Sequence, residues 1–345
     1  MEQPKVISTE GQKTRRFGFL LVPDFSMIAF ASAIEPLRMA NRLSGQILYE
    51  WVIVSADGQP VASSNGLEIT PSCSIAECAT IDTLFVCGGV DVDRAAGKSL
   101  LFWLRKVASR KIAMGSLCTG THLLARANLL DGYRCTIHWE NMASLREEYP
   151  RVIVSAELFE IDRDRYTCSG GTAPLDMMLN LIREHHGAEL AAAISEEFIC
   201  ERIRGRNDRQ RIPLKSHLGT GQPKLVEAVS LMESNLEEPM SLDELAQHVS
   251  LSRRQLERLF QKHLKCVPTR YYLELRLTRA RQLLLQTSKS IVDVALSCGF
   301  VSAPHFSKCY RDFFGIPPRD ERRLRQASPP QGELRNDSKA VARNP

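Results

Sequence analysis

Over the first 185 residues, short apolar runs alternate with stretches in which apolar side chains recur at helical spacing. Residues 17–22 read as a buried strand, 28–41 as a helix, and 51–55 as a strand followed by an Asp57–Gly58 turn. Residues 83–87 form a strand pattern ended by Gly88 and Gly89, 100–109 a helix, 111–114 a strand, and 119–130 a helix closed by Asp131–Gly132. Residues 152–155 and 165–168 are again strand-like, and 172–185 form a long helical pattern. Such alternation predicts parallel strands joined by crossover helices, an α/β sandwich. Ligands in sheets of this kind bind beyond the carboxyl ends of the strands.

The pattern changes after residue 200. Residues 201–222 carry Arg202, Arg204, Arg206, Arg209 and Arg211, three glycines and Pro213, and have little apolar surface to bury. They read as a linker. From 223 onward Leu, Val and Ala recur at helical spacing with no strand pattern. Residues 323–345, rich in Pro, Ser, Asn and charge, read as a disordered tail. The expected organisation is a flexible N-terminus (1–16), an α/β domain (17–200), a linker (201–222), an all-α domain (223–322) and the tail (323–345).

Two helix pairs stand out in the all-α part. Ser241 and Glu244 have capping-box spacing ahead of Leu242, Leu245 and Ala246. The segment Val249–Ser250–Leu251 then breaks the period. Ser252 is placed to cap a second helix, with Leu256, Leu259 and Phe260 inward and Arg253, Arg254, Glu257 and Arg258 outward. The arrangement recurs about 50 residues on. Ser290 and Asp293 open a short helix, Cys298–Gly299–Phe300 form the turn, and Ser302 is placed to cap the next helix. Phe306, Tyr310, Phe313 and Phe314 read as its inner face; His305, Ser307, Lys308 and Arg311 remain outside. Residues 270–286 read as one connecting helix. In a helix-turn-helix the second helix enters the major groove, with polar residues near its start on base edges.

Charge supports a polyanionic partner. The net charge is +5, but residues from Glu201 onward hold 26 Lys+Arg against 16 Asp+Glu, while those before it hold 19 against 24. A basic segment favours nucleic acid through counterion release. No apolar run approaches the roughly 20 residues of a membrane span, and residues 1–16 are polar with no secretory core, so a cytoplasmic protein without membrane partners is expected. Ten cysteines occur singly, without a C-x-x-C pair, which favours small buried hydrophobes over disulfides or zinc. No metal and no cofactor are expected.

The run Gly299-Phe300, His305-Phe306-Ser307-Lys308, Tyr310-Arg311 and Phe314-Gly315-Ile316-Pro317-Pro318 resembles the AraC/XylS regulators over roughly residues 223–322. That resemblance implies a DNA-binding module with two helix-turn-helix units. By position its base-reading candidates are Arg254, Glu257 and Arg258 in the first unit, and Ala303, His305, Ser307 and Lys308 in the second. Arg253 and Arg311 join them as DNA contacts. Double-stranded promoter DNA and RNA polymerase follow as partners, with a homodimer as the expected assembly.

The front half carries a second resemblance. In Lys111-Ile-Ala-Met-Gly-Ser-Leu-Cys118-Thr-Gly-Thr-His122, a strand turns sharply into a helix, and a cysteine at a helix N-terminus has a tendency toward thiolate. This turn is similar to the nucleophile elbow of class I glutamine-amidotransferase-like, PfpI-type proteins. Residues 17–185 resemble that flavodoxin-like fold as it occurs fused to AraC-type domains. Gly88-Gly89, residues 127–132 and Ser169-Gly170-Gly171-Thr172-Ala173-Pro174-Leu175-Asp176 carry the likeness. PfpI-type hydrolases have His directly after the cysteine, where this chain has Thr119. His122, four residues into the helix, should point away from the elbow, and His138 is the other histidine to consider. A ligand sensor is therefore favoured over a cysteine hydrolase or a redox sensor using Cys118.

For that sensor, Glu35 on the first helix is a candidate inward carboxylate, and Cys118, His138 and Trp139 complete the candidate effector site. An aromatic face with a carboxylate suits a methylated ammonium through cation–π attraction and charge. The alternatives are a local role for Glu35 and a core role for Trp139. Residues 35–41, 172–178 and 211–215 resemble a subgroup of activators of glycine betaine, dimethylglycine and carnitine catabolism. That resemblance implies a methylated amine as effector.

Overall fold

The computed structural model describes residues 14–78, 80–205, 208, 210 and 222–327. The chain divides into two units, residues 1–210 and 211–345.

The first unit is built on a seven-stranded sheet. Its strands are β1 (Arg15–Leu21), β2 (Tyr49–Ser55), β3 (Cys73–Ser74), β4 (Thr83–Cys87), β5 (Ala113–Leu117), β6 (Phe159–Asp162) and β7 (Arg165–Cys168), in the order β6-β7-β5-β4-β1-β2-β3. Neighbours run parallel except the β6–β7 hairpin. The central strands read as continuous apolar runs because both faces are covered. Phe17, Phe19, Leu21, Phe85 and Cys87 face one layer of helices: α1 (Met27–Ser44), α5 (Ala173–His186) and α6 (Ala188–Glu197). Leu20, Leu84, Val86 and Met114 face the other, with α2 (Lys98–Ser109) and α3 (Gly120–Arg126), followed by α4 (Met142–Glu148). Helix α1 is entered through Ser26, whose hydroxyl accepts from Ala29 N, and is closed by Gly45 at φ +67°.

The α/β sandwich matches the expectation, with local differences. The strand read at 111–114 lies at Ala113–Leu117, and the helix read at 119–130 stops at Arg126, where Asn128 takes φ +60°. Strand β6 escapes the pattern because Glu160 interrupts its apolar run; that carboxylate is buried and accepts from Arg134 Nε at 2.7 Å.

Domain edges shift too. The linker expected at 201–222 starts later: the described residues among 201–210 attach to the first unit, where buried acceptors meet Arg204 and Gln210. The flexible N-terminus read to residue 16 gives way to strand at Arg15, and α13 (Pro318–Ala327) continues past residue 322. Residues 1–13, 211–221 and 328–345, and with them the 211–215 resemblance, lie outside the described residues.

The second unit is helical: α7 (Pro223–Ser234), α8 (Leu242–His248), α9 (Arg253–Leu264), α10 (Pro268–Gln286), α11 (Ile291–Ser297), α12 (Ala303–Phe314) and α13. Leu225, Met232, Leu245, Leu256, Phe260 and Tyr272 form the core of its first half. In the second half the rings of Phe300, Phe306, Tyr310 and Phe314 pack in series, tilted or edge-on, with centroids 5.1, 5.5 and 4.6 Å apart. Among the described residues no helix is long and apolar enough to cross a membrane.

Candidate functional site

Cys118 sits between β5 and α3 at φ +58°, a left-handed conformation that a non-glycine residue adopts only under constraint. The close approach of backbones around it requires glycine: a Cβ on Gly120 would lie 2.1 Å from Val86 O, and one on Gly88 2.3 Å from Gly120 N. The Cys118 amide donates to Ser169 O at 3.3 Å, and His138 N donates to Cys118 O at 3.4 Å. Gly170 packs over both side chains, since a Cβ there would be 3.1 Å from Cys118 Sγ and 2.7 Å from His138 Cδ2. The Trp139 ring lies 5.7 Å from that of His138. Of the four expected effector residues, Cys118 and His138 therefore meet beyond the carboxyl end of β5, with Trp139 against the His138 ring.

Glu35 is not joined to them. Its carboxylate is half-exposed and accepts from Arg38 Nε and Nη2 at 2.8 and 2.7 Å. The buried stripe of α1 runs through Ala29, Phe30, Ala33, Pro36, Leu37 and Ala40, which leaves Glu35 beside it. The carboxylate brought to the group is Glu140, 3.7 Å from His138 Nδ1. It was legible only as a neighbour of Trp139.

The electrostatics also correct an expectation. Burial pushes the Cys118 thiol up to about 11, outweighing the Thr119 amide that favours thiolate, and Glu140 adds to the rise. Burial lowers the His138 pKa, and Glu140 opposes that only in part. At neutral pH the pair is thus a thiol and a neutral imidazole. Thr119 Oγ1 donates to Gly89 O at 2.7 Å, so the position after the cysteine serves the loop. His122 turns away as expected: Nε2 meets Glu148 at 3.1 Å and Nδ1 lies 3.2 Å from Asp93.

In the second unit each helix-turn-helix has the same turn. Leu251 N donates to Ala246 O and Ser250 N to Gln247 O; Phe300 N donates to Ala295 O and Gly299 N to Leu296 O. These are Schellman pairs, with Ser250 (φ +55°) and Gly299 (φ +71°) at the left-handed position. Helix α10 holds both units. Tyr272 OH donates to Asn235 O and accepts from Met240 N, ahead of α8. Arg276 donates to Cys298 O at 2.8 Å and Gly299 O at 2.6 Å, and its guanidinium lies 4.1 Å from the Phe300 ring centre.

The expected readers lie on α9 and α12. Arg253 is engaged by Glu257 at 3.1 Å and Asp243 at 3.7 Å. Arg254 and Arg258 are exposed, and neither forms an ion pair among the described residues. On α12, His305, Lys308 and Arg311 are exposed, Ala303 and Ser307 half-buried, and His305 Nε2 lies 3.4 Å from Cys309 Sγ. Two readings on α12 are corrected. Ser302 makes no side-chain cap, unlike Ser252, whose hydroxyl accepts from Gln255 N. Phe313 is exposed rather than inward, since Phe306, Tyr310 and Phe314 make up the aromatic row on the inner face.

Comparison with known proteins agrees with both halves. Residues 245–324 match the helix-turn-helix domain family and residues 19–184 the DJ-1/PfpI family. The chain is 58% identical over 316 residues to the HTH-type transcriptional regulator GbdR of Pseudomonas aeruginosa, covering 92% of this chain and 86% of that one. It is 47% identical to the HTH-type transcriptional regulator ArgR of the same species, over 90% and 94% of the two chains. The solved structure of an AraC family transcriptional regulator from Pseudomonas putida is 34% identical, with a TM-score of 0.50, and covers 53% of this chain and 99% of that one. With a DJ-1/PfpI-type domain carrying a buried cysteine elbow and a basic helical unit carrying two helix-turn-helices, the chain belongs to the AraC-type, DNA-binding transcriptional regulators that have an amino-terminal DJ-1/PfpI domain.

Proposed function

We propose that the chain is a transcription activator whose first unit senses a methylated amine such as glycine betaine, dimethylglycine or carnitine. The observation that carries this is the packing of His138 beside Cys118 under Gly170, with Trp139 and Glu140 each against the His138 ring. An indole face attracts an alkylated ammonium, the Glu140 carboxylate supplies the opposite charge, and a neutral imidazole adds no competing positive charge. The resemblance of residues 35–41 and 172–178 to regulators of betaine and carnitine catabolism supports the same ligand class.

The protein acts here as a sensor and not as an enzyme. A buried thiol with its pKa near 11 is a poor nucleophile at neutral pH, and no base side chain is hydrogen-bonded to its sulfur among the described residues. In the second unit, Arg254 and Arg258 read base edges, with Arg253, Glu257, Ala303, His305, Ser307, Lys308 and Arg311 completing the contact with promoter DNA. A homodimer that recruits RNA polymerase completes the reading.

Thermal unfolding with glycine betaine, dimethylglycine, carnitine, choline and arginine tests the sensor. A ligand at 100 times its Kd adds about 2.7 kcal/mol of stability, and Trp139→Ala abolishes the gain. No stabilisation by any methylated amine sinks the effector assignment. Cys118→Ala separates sensing from catalysis, because a sensor variant still activates its promoter.

A further inference from the structure

The segment leaving the first unit grips both walls of the elbow site. We infer that Arg204 and Gln210 are positioning residues that couple occupancy of that site to the DNA-binding unit. The inference rests on the sensor reading above.

The site lies between two stretches of chain. Residues 169–172 follow β7 and place Gly170 against Cys118 and His138. Residues 136–140 run alongside and carry His138, Trp139 and Glu140. The departing segment is bonded to both. Arg204 Nη2 donates to Thr172 Oγ1 at 2.7 Å, two residues from Gly170. Asp176, one turn further along α5, accepts from the Arg204 backbone N at 2.7 Å, from Nε at 2.9 Å and from Nη2 at 2.7 Å. On the other wall, the two N–H of Gln210 Nε2 are shared among three acceptors, Thr136 Oγ1 and Ile137 O at 2.8 Å and Glu157 O at 3.1 Å. Ile137 is the residue before His138. Between the two grips, Leu158 N donates to Asp208 O at 2.9 Å, and the Asp208 carboxylate accepts from Arg202 and from Gly205 N.

The two grips differ in kind. Asp176 is almost fully buried, so releasing Arg204 would strand a carboxylate without its cation. Gln210 is neutral, and its Oε1 is buried without a partner among the described residues, so this grip is already incompletely satisfied. Arg204 is the fixed anchor, and Gln210 is the end that lets go. A ligand that pushes the His138–Trp139 backbone aside moves the Ile137 acceptor and loosens Gln210. The second unit begins at the next residue, Arg211. A ligand shifts an equilibrium only through differential contact with its two states, and the Gln210 bonds supply that difference.

The test uses the full chain with Gln210→Ala as the mild variant and Arg204→Ala as the severe one, and reads operator affinity, calorimetric binding of glycine betaine and promoter induction. Gln210→Ala is expected to hold operator affinity within twofold and glycine betaine affinity within about fivefold, while the ratio of induced to basal promoter activity falls at least tenfold because the released variant is already active without ligand. An induction ratio within twofold of the parent overturns the coupling. Should the parent bind no glycine betaine, the effector assignment fails, and the coupling is read without ligand. In a chain carrying Trp51→Phe and Trp103→Phe, the emission of Trp139 shifts on Gln210→Ala if the grip positions that wall. An unchanged spectrum overturns the coupling by this route.

Discussion

The two helix-turn-helix units of the second half share one backbone plan and differ in how they hold it. Both turns are Schellman pairs, but the first places Ser250 at the left-handed position and the second Gly299. At Gly299 there is no room for anything else, since a Cβ would lie 2.5 Å from Pro239 Cγ and 2.7 Å from Leu236 O. Helix α9 starts from a reciprocal capping box between Ser252 and Gln255, whereas Ser302 caps nothing. The faces proposed to read DNA differ as well: α9 carries two exposed arginines without an ion pair among the described residues, and α12 an exposed histidine, lysine and arginine. The first turn and its following cap are closed by bonds within the helix pair, while the second turn is also held by Arg276 and packs against the loop carrying Leu236 and Pro239. From this asymmetry we propose that the first selects sequence and the second supplies affinity.

The largest expected effect breaks the second turn. Gly299→Ala combines a left-handed φ with backbone and proline contact, and should cost about 3 kcal/mol in urea unfolding of the second unit. A loss below about 1 kcal/mol would show that the Pro239 loop yields freely and that the second unit is no more dependent than the first.

Next comes DNA. Arg258→Ala should weaken the cognate operator by about 1–3 kcal/mol, roughly 5- to 150-fold, with a much smaller loss on scrambled DNA. Lys308→Ala should weaken both more evenly and flatten the salt dependence. Competition binding at two salt concentrations decides, and equal factors on both DNAs for Arg258→Ala would remove its base-reading role.

Caps give a smaller contrast. Ser252→Ala should lower stability by about 1 kcal/mol, and Ser302→Ala by no more than a few tenths, because only the first hydroxyl accepts a helix N–H. Equal losses in thermal unfolding would dissolve the contrast. The smallest effect has the opposite sign. Ser250→Gly relieves a left-handed serine and should raise the stability of the second unit by about 0.5 kcal/mol. A loss would mean that the Ser250 side chain holds the turn.

Elements whose cause is local were legible in the sequence. The strand at Thr83–Cys87 is buried on both faces and reads as an unbroken apolar run, and the Ser241–Glu244 capping box forms as its spacing predicts. The elbow was legible from Cys118 between a strand and a helix pattern, as was the turning away of His122. Elements that depend on distant partners were not. Strand β6 hides a buried Glu160 whose partner, Arg134, is 26 residues away. The segment at 201–210 looks like solvated linker because its composition is basic, yet Arg204 and Gln210 find buried acceptors on α5 and around Ile137.

Local pattern along the chain was enough for the class of each half, the two helix-turn-helix units with their outward basic residues, and the place of Cys118 at a strand-to-helix turn. Periodicity, caps and turn residues act over a few positions and survive without tertiary context. Packing between distant segments was needed to bring residues 138–140 to Cys118, through Gly170 and the Cys118 carbonyl, and so to set Glu140 rather than Glu35 near the thiol. It also decided the protonation of Cys118. A helix N-terminus favours thiolate, but burial among the surrounding loops withdraws the water that would stabilise the charge, and that desolvation wins.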